Sequence, residues 1–411
     1  MRTVTLDGID EDLLTLLPAT GGHAWVRDGA GFVGWGQAAR FTMSGPERFS
    51  RAQRWWSAWC EAAHVDDQVG VRGTGPVAFA SFTFDSGPQE SVVIVPAVVV
   101  GHRAGRTWLT TVEVEAEDVP APVSAEPTVH GSAGPITWAP GTRPVEHWAR
   151  AVSEAIGRIS AGELDKVVLA RDIVAELPTA LDAAALLRRM AAAYPECWTF
   201  SVDGLVGATP ELLVRRDGDR VTSRVLAGTV RRRGDDSVDA ARAAALLDSD
   251  KDLEEHEYAV HSVAEALAAH CTDLDVPNAP HVLSLANVQH LATDVTGMLA
   301  DGASALALAA SLHPTAAVCG TPTERATALI RELEAMDRGR YAGPVGWIDA
   351  RGDGEFGIAL RCAAVEDSPR GAATRLRLFA GCGIVAGSTA EGEIAESEAK
   401  LDAVRRALLD V

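Results

Sequence analysis

The stretch from Cys197 to Val230, CWTFSVDGLVGATPELLVRRDGDRVTSRVLAGTV, contains short runs of β-branched, aromatic and other apolar residues, separated by two Asp-Gly pairs. Asp-Gly is favoured in the two-residue loop of a β-hairpin, because the turn needs positive φ angles. The stretch therefore predicts consecutive antiparallel strands. Around it, amphipathic helices alternate irregularly with apolar strands, and no GxxxxGK[ST] motif occurs to indicate a phosphate-binding loop. We expect an α+β protein.

The chain has 411 residues, 37 Lys and Arg against 57 Asp and Glu, and a formal net charge of −20. Binding to nucleic acid or to an anionic membrane needs a basic surface, so we expect neither of them as a partner. The apolar run SVVIVPAVVVG, Ser91 to Gly101, is too short to span a bilayer and contains a proline. The acidic start MRTVTLDGIDEDLL does not have the pattern of a secretory signal. We expect a soluble, cytoplasmic protein.

Composition divides the chain into three parts. Residues 1–125 contain short apolar strands separated by glycine turns, and we expect them to form a strand-rich framework integrated with the main body. Glu113 to Pro144 is rich in Pro, Ala, Ser and Gly without periodicity, and we assign a linker to residues 126–144. Residues 145–411 contain the long amphipathic segments and every candidate site residue, so we assign the chemistry to them.

An acidic helix is predicted near the end of the chain, at Gly387 to Leu401, GSTAEGEIAESEAKL. Glu393, Glu396 and Lys400 stand at i, i+3 and i+7, a spacing that places two carboxylates and an ammonium on one helix face. Taken alone, this pattern also fits a solvated helix face.

A second acidic helix is predicted at Ser249 to Val260, SDKDLEEHEYAV, where Asp252 and Glu255 repeat the i, i+3 spacing. If the two acidic faces meet, four carboxylates repel one another unless a divalent cation lies between them. Mg²⁺ suits such a site, because it binds a few carboxylates and keeps positions for water or an anionic substrate. The sequence thus predicts a magnesium site.

Two further residues are candidates for proton transfer. Lys166 begins an apolar strand in DKVVLAR; it is either a surface lysine or, in a dry site, a general base. Glu211 in GATPELLV follows a proline between predicted strands. A carboxyl kept protonated by apolar surroundings would be the general acid to accompany a basic lysine.

The candidate residues lie within a longer series of motifs. In chain order the motifs are DKVVLAR (Asp165–Arg171), GATPELLV (Gly207–Val214), LAGT (Leu226–Thr229), KDLEEH (Lys251–His256), VQHLAT (Val288–Thr293), HPTAAVCGTP (His313–Pro322), DRGRYAGPVGW (Asp337–Trp347), FGIALRCA (Phe356–Ala363), AGCGIV (Ala380–Val385) and GEIAESEAK (Gly392–Lys400). This series resembles the chorismate-utilising enzymes, a group that includes isochorismate synthases, salicylate synthases, anthranilate synthase large subunits and aminodeoxychorismate synthases. The resemblance covers Val145 to Leu401 and implies one large α+β body, with two packed antiparallel sheets, flanking helices and the site in a cleft between them.

The resemblance also implies roles for individual residues. Glu255 and Glu396 would ligate Mg²⁺, while Asp252 and Glu393 would hold its waters; Asp252 stands where members of the group often have the longer Glu. The substrate, the dianion chorismate, would be bound through its carboxylates by arginine, lysine, tyrosine and backbone N–H groups, with a histidine beside its ring. The positions implied for substrate binding are Gly228, Thr229, His290, Ala317, Tyr341, Arg361, Gly381, Gly383 and Lys400.

Three positions bear on the reaction. Lys166 stands at a position where the members that use water, the isochorismate and salicylate synthases, have a lysine. The members that use ammonia have a glutamine there. Ala227 stands where aminodeoxychorismate synthases have a nucleophilic lysine, and Ala317 where salicylate synthases have threonine. The resemblance thus implies an isochorismate synthase with Lys166 as base and Glu211 as acid.

Other outcomes remain open. The alternatives are a salicylate synthase, an anthranilate synthase large subunit, or a catalytically silent relative. We expect a monomer without a glutaminase partner, whose product would serve menaquinone or siderophore biosynthesis.

Overall fold

The computed structural model describes residues 1–6, 12–113, 135–367 and 374–409, with only the backbone for residue 367. Within these ranges the chain forms 23 strands, eight α-helices and a 3₁₀ helix at Leu13–Leu16. The strands are β1 (Arg2–Thr5), β2 (His23–Arg27), β3 (Ala30–Trp35), β4 (Ala39–Met43), β5 (Asp66–Asp67), β6 (Val77–Ser81), β7 (Ser91–Val95), β8 (Val98–Arg103), β9 (Arg106–Thr111), β10 (Thr137–Pro140), β11 (Lys166–Leu177), β12 (Trp198–Val202), β13 (Leu205–Thr209), β14 (Leu212–Asp217), β15 (Arg220–Arg231), β16 (Cys271–Asp275), β17 (His281–Ser284), β18 (Val288–Leu299), β19 (Gly320–Thr321), β20 (Pro344–Asp349), β21 (Gly354–Ile358), β22 (Cys362–Asp367) and β23 (Thr374–Ile384). The helices are α1 (Arg48–Ala62), α2 (Val145–Ser160), α3 (Ala183–Ala193), α4 (Asp236–Leu247), α5 (Asp250–Ala268), α6 (Ala305–Leu312), α7 (Thr323–Glu334) and α8 (Ala390–Leu409).

The strands form two sheets. The first sheet has the order β10-β11-β23-β22-β13-β12-β2-β3-β8-β9-β1-β5, with β19 beside β11. The second has the order β16-β18-β15-β14-β21-β20-β6-β7-β4, with β17 beside β18. Apart from the parallel pair β1 and β5, the strand pairs in the described ranges are antiparallel. The predicted α+β class with two antiparallel sheets is confirmed.

The two sheets pack face to face over an aromatic core. The ring of Phe32 in the first sheet lies 4.4 Å from the ring of Trp347 in the second. Trp25 and Trp198, also in the first sheet, both donate through Nε1 to Oε2 of Glu355 in the second sheet, each at 3.0 Å. Burial of large aromatic rings supplies much of the hydrophobic stabilisation, and the shared carboxylate satisfies both indole N–H groups.

A second core lies on the opposite face of the first sheet, beneath α3 and α8. Leu186 of α3, Leu378 of β23 and Val404 of α8 are buried together there. This packing fixes α8, and hence its acidic first turns, against β23.

The stretch from Cys197 to Val230 forms β12, β13, β14 and most of β15, as antiparallel hairpins. The first turn is at Asp203 and Gly204, both with positive φ. The second turn is one residue later than the Asp-Gly pair suggests, at Gly218 and Asp219, because Asp217 pairs with Arg220. Between the hairpins the chain passes from the first sheet to the second.

The N-terminal residues supply strands to both sheets: β2 pairs with β12 in the first sheet, and β6 pairs with β20 in the second. Of the segment 126–144, assigned as a linker from its composition, residues 126–134 lie outside the described residues. Thr137–Pro140 is a strand at the edge of the first sheet, where it pairs with β11.

A buried ion pair ties α7 to the first sheet. Arg338 donates to Oε2 of Glu334 at 2.9 Å, to the carbonyl oxygen of Val318 at 2.9 Å and to that of Val168 at 2.8 Å. Glu334 in turn accepts from the backbone N–H of Ala170 at 2.7 Å. Both charged side chains are buried, so each depends on the other for compensation.

Replacing Glu334 with alanine is therefore expected to lower the free energy of unfolding by about 3–5 kcal/mol, because Arg338 is left charged and uncompensated in the interior. Urea denaturation followed by circular dichroism measures the effect. The control is Glu154→Ala, which removes an exposed carboxylate 3.0 Å from Arg158 on α2; Arg158 keeps its pair with Glu332. Since exposed pairs are screened, it should change stability little. Equal effects of the two substitutions would show that the buried pair has no special importance.

Candidate active site

A narrow cavity of about 50 Å³ lies beside β11, β15, β18 and β23. Its free volume is small, so polar side chains from different elements contact one another around it. Eleven of the fifteen predicted site residues line its wall: Glu211, Gly228, Thr229, Glu255, His290, Ala317, Tyr341, Arg361, Gly381, Gly383 and Lys400. Lys166 lies directly behind Glu255, while Asp252, Glu393 and Glu396 lie outside the wall, on α5 and α8.

Glu211 lies at the point where the chain crosses between the sheets. Pro210 before it has no N–H group, which favours the end of β13. The backbone of Glu211 is held by Ile358, whose N–H donates to its carbonyl oxygen at 3.2 Å. Burial raises the pKa of the Glu211 carboxyl to about 8, although the charges of Lys166 and Arg361 oppose the shift. At neutral pH this carboxyl is therefore largely protonated and can donate a proton.

Lys166 is the first residue of β11, and its side chain is 0% exposed. Its Nζ lies 3.3 Å from Oε1 of Glu255 and donates to the backbone carbonyl oxygen of Glu255, also at 3.3 Å. The alternative of a surface lysine is therefore wrong. β19 and β23 pair with the start of β11 on either side. This pairing fixes the point from which the Lys166 side chain enters the site.

Glycine at position 383 leaves room for this contact. A Cβ atom there would lie 2.0 Å from Oε1 of Glu255 and 3.1 Å from Cε of Lys166. Any larger residue would displace the carboxylate. The Lys166–Glu255 contact thus depends on the absence of a side chain at Gly383.

The acidic residues of α8 form a compact group with a thiol. Ligand atoms of Cys382, Glu393 and Glu396 all lie within 4.8 Å of one another. Glu393 is 2% exposed, and its Oε2 is buried without a hydrogen-bond partner among the described residues. The pKa of Glu393 is raised by burial and by the neighbouring charge of Glu396. A buried carboxylate oxygen without a hydrogen-bond partner has the chemistry of a cation ligand.

Asp252 has a different environment. Its Oδ2 accepts from the hydroxyl of Ser249 at 2.5 Å, and the same hydroxyl caps α5 by accepting from the Asp252 N–H. One oxygen of this carboxylate is thus engaged at the helix start, one turn before Glu255.

The chain contains three lysines among its 37 basic residues, namely Lys166, Lys251 and Lys400. Each pairs with one of the predicted metal-binding glutamates. Lys166 contacts Glu255, Lys251 lies 3.1 Å from Oε1 of Glu393, and Lys400 lies 2.6 Å from Oε1 of Glu396. Lysine usage is therefore a signal of the site that the sequence analysis did not use.

Arg361 is held by a short polar chain. Its Nη2 lies 3.0 Å from Nε2 of His290, and Nδ1 of that ring lies 3.0 Å from Oγ1 of Thr229. Since arginine can only donate, Nε2 must accept, so the proton of His290 is on Nδ1. Burial, with the charges of Arg361 and Lys400, lowers the pKa of His290 and keeps the ring neutral. His290 thus orients Arg361.

Two further features shape the wall. Arg361 has a φ of 49°, a strained conformation for a residue with a side chain. Tyr341 stacks on Phe379 with 4.9 Å between ring centroids, and its hydroxyl is close to Gly381. Burial raises the pKa of Tyr341, so its hydroxyl remains a neutral donor.

Chemically, the cavity brings together cationic donors, a protonated carboxyl and a buried amine. Arg361 and Lys400 suit a ligand with two carboxylates. The carboxylates of Glu255, Glu393 and Glu396, with one unpaired oxygen, suit a hard divalent cation such as Mg²⁺.

A larger, mainly apolar cavity of about 850 Å³ lies elsewhere, beside Asp203 and Gly204. Its charged side chains Arg40 and Asp203 pair with each other at 3.0 Å. Size alone therefore does not mark the functional site. Within the described residues, no helix is both long and apolar enough to cross a bilayer.

The chain was compared with protein families, with characterised proteins and with solved structures. The family model described as chorismate binding enzyme matches residues 25–409. Isochorismate synthase DhbC of Bacillus subtilis is 41% identical over 275 residues, covering 64% of this chain and 68% of that protein. Isochorismate synthase MenF of Bacillus subtilis is 32% identical over 406 residues, covering 92% of this chain and 85% of that protein. The solved structure of MenF, the menaquinone-specific isochorismate synthase from Escherichia coli, superposes with a TM-score of 0.76 at 25% identity, covering 99% of this chain and 94% of that chain. These similarities confirm the resemblance that the motifs indicated.

Proposed function

Because the chain belongs to the family of chorismate-binding enzymes, we propose that it is an isochorismate synthase, which adds water at C2 of chorismate and releases the C4 hydroxyl. The observation that carries the proposal is the pair formed by Lys166, buried behind the cavity wall, and Glu211, a carboxyl with a pKa of about 8 in that wall. A potential base and a protonated acid on one small cavity are what addition and loss of water require. Two similar proteins that are named isochorismate synthases support the same assignment.

In the proposed reaction, the amine of Lys166 takes a proton from water as the water oxygen bonds to C2. Glu211 gives its proton to the C4 hydroxyl, which departs as water while the ring double bonds shift. One water is consumed and one released, so the reaction is reversible. Exchange with solvent then restores both side chains.

The substrate carboxylates are proposed to bind Arg361, Lys400 and Tyr341, aided by backbone N–H groups around Gly228 and Gly381. In the structure Lys400 already donates to the carbonyl oxygen of Gly381 at 2.8 Å, so its ammonium is directed at this part of the wall. His290 acts through Arg361, which it orients, and Thr229 acts through His290.

Magnesium is proposed as the cofactor. The donor set fits: Glu255 and Glu396 would hold the ion, with Glu393 and Asp252 holding its waters, and Glu393 Oε2 is a buried acceptor without a partner. When bound, Mg²⁺ supplies positive charge that offsets a substrate carboxylate. Since water is the proposed nucleophile, no glutaminase partner is required, and we propose that the enzyme acts as a cytoplasmic monomer.

The test is incubation of the purified protein with chorismate, with and without Mg²⁺, followed by chromatography with mass detection. Chromatographic separation is needed because chorismate and isochorismate have equal masses. We expect a Mg²⁺-dependent isomer peak that settles to a mixture, without pyruvate. Salicylate with equimolar pyruvate would identify a salicylate synthase and overturn the inference from Ala317. Anthranilate formed only with ammonia would identify an anthranilate synthase large subunit.

A further inference from the structure

The lysine that the proposed mechanism does not use is Lys251, in the first turn of α5. Its Nζ lies 3.1 Å from Oε1 of Glu393 on α8, while Oε2 of the same carboxylate has no partner. The stem of Lys251 crosses Gly387, where an added Cβ would lie 3.4 Å from its Cγ. Lys251 therefore bridges the two helices that carry the acidic residues.

The ammonium of Lys251 interacts electrostatically with Glu393, Glu255 and Glu396. Burial alone would lower the pKa of Lys251, but the charge and hydrogen bond of Glu393, with the charges of Glu255 and Glu396, raise it overall. The side chain is 33% exposed, so it can move to solvent without opening the fold. It is a partly exposed ammonium on a flexible stem, beside a carboxylate that the proposed cation would use.

We propose that Lys251 sets the affinity of this acidic site for its divalent cation, by neutralising Glu393 whenever the cation is absent. The inference rests on the magnesium site of the proposed function and adds to it a residue with no assigned role there. The ammonium at Oε1 offsets the charge of Glu393 and repels a cation that approaches the free Oε2, so Lys251 is a competitor and not a ligand.

The choice of lysine over arginine supports a displaceable partner. Arginine accounts for 34 of the chain's basic residues, which is 37 less the three lysines. An arginine fork would hold Glu393 with two parallel hydrogen bonds, whereas a lysine ammonium is a single charge on a flexible stem. Lysine is therefore the better residue beside Glu393 if the pair has to weaken when a divalent cation binds.

The test compares Mg²⁺ binding to the whole protein by isothermal titration calorimetry, without substrate. Lys251→Met removes the competitor and leaves one more net negative charge, so the Mg²⁺ dissociation constant should fall by about tenfold. Lys251→Arg should raise it by about threefold or more, because the bidentate pair is harder to displace. Without Mg²⁺, Lys251→Met should melt at a lower temperature than wild type, and a saturating concentration of the ion should restore more stability than it gives wild type.

The matched control is Arg231→Met, which removes a positive charge paired with Asp402 at 3.4 Å, further along α8. It should leave the Mg²⁺ dissociation constant within about twofold, since the exposed pair is screened. If Lys251 merely tethers the helices, Lys251→Met should instead weaken Mg²⁺ binding, and Lys251→Arg should leave it unchanged. That result overturns the proposal while the magnesium site stands. Absence of Mg²⁺ binding by the wild type overturns the magnesium site and the role of Lys251 together.

Discussion

Replacement of Lys166 by alanine should lower the rate of isochorismate formation by about 10²–10⁴-fold, the usual contribution of a general base. Lys166 is buried, and its Nζ contacts Glu255 and no other carboxylate among the described residues. No other lysine can replace it, since Lys251 and Lys400 are engaged with Glu393 and Glu396. The rate is measured by quenched chromatographic assays at saturating chorismate and Mg²⁺.

The matched variant for this position is Lys166→Arg. It keeps the positive charge beside Glu255, but a guanidinium stays protonated and cannot accept the proton of water. Both variants should therefore lose turnover while still gaining thermal stability from chorismate with Mg²⁺. Substantial activity in the arginine variant would show that Lys166 contributes charge alone, and near-normal activity in the alanine variant would remove it from the mechanism.

The second large effect is expected for Glu211→Gln, with a loss of about 10²–10³-fold, because the amide cannot donate the same proton. The shape of the pH profile is a separate signature. Burial raises the pKa of Glu211 to about 8, so the acid form predominates below that pH and is lost above it. Turnover by the wild type should accordingly fall as the pH rises through about 8, whereas the residual rate of the glutamine variant should lack this limb.

Glu211→Asp is the companion to that measurement. It retains an ionisable acid that is shorter by one methylene, so part of the activity and a descending limb should both remain. If the glutamine variant keeps the limb of the wild type, the group that titrates is not Glu211. The proton donor would then have to be sought among the other groups of the cavity wall.

Sequence patterns of a few residues predicted the strands and hairpins well. They did not predict which distant strands pair with each other. The hairpins around Asp203 and Gly218 follow from turn chemistry that a few residues specify. The passage between sheets at Pro210 and the pairing of β2 with β12 join segments far apart in sequence. Such contacts depend on the packing of the whole chain, which periodicity does not encode.

The acidic residues illustrate the same limit at the site. Helical spacing places Glu393 and Glu396 on one face, and the structure has them close together. Spacing could not show that one oxygen of Asp252 is engaged by Ser249, or that Lys251 reaches Glu393 from a different helix. The Ser249–Asp252 contact is part of the cap at the start of α5, and the Lys251–Glu393 contact depends on how α5 and α8 pack.

The position of β23 has a consequence for synthesis of the protein on the ribosome. This strand, Thr374–Ile384, pairs with β11 along eleven residues and is nearly the last element made. Until it leaves the exit tunnel, β11 keeps an open edge of unpaired N–H and carbonyl groups on a largely apolar strand. Open edges of this kind template aggregation, and non-local strand pairing is slow. We therefore expect nascent chains that end before Thr374 to need chaperones, and the cavity around Lys166 to form only after translation is nearly complete.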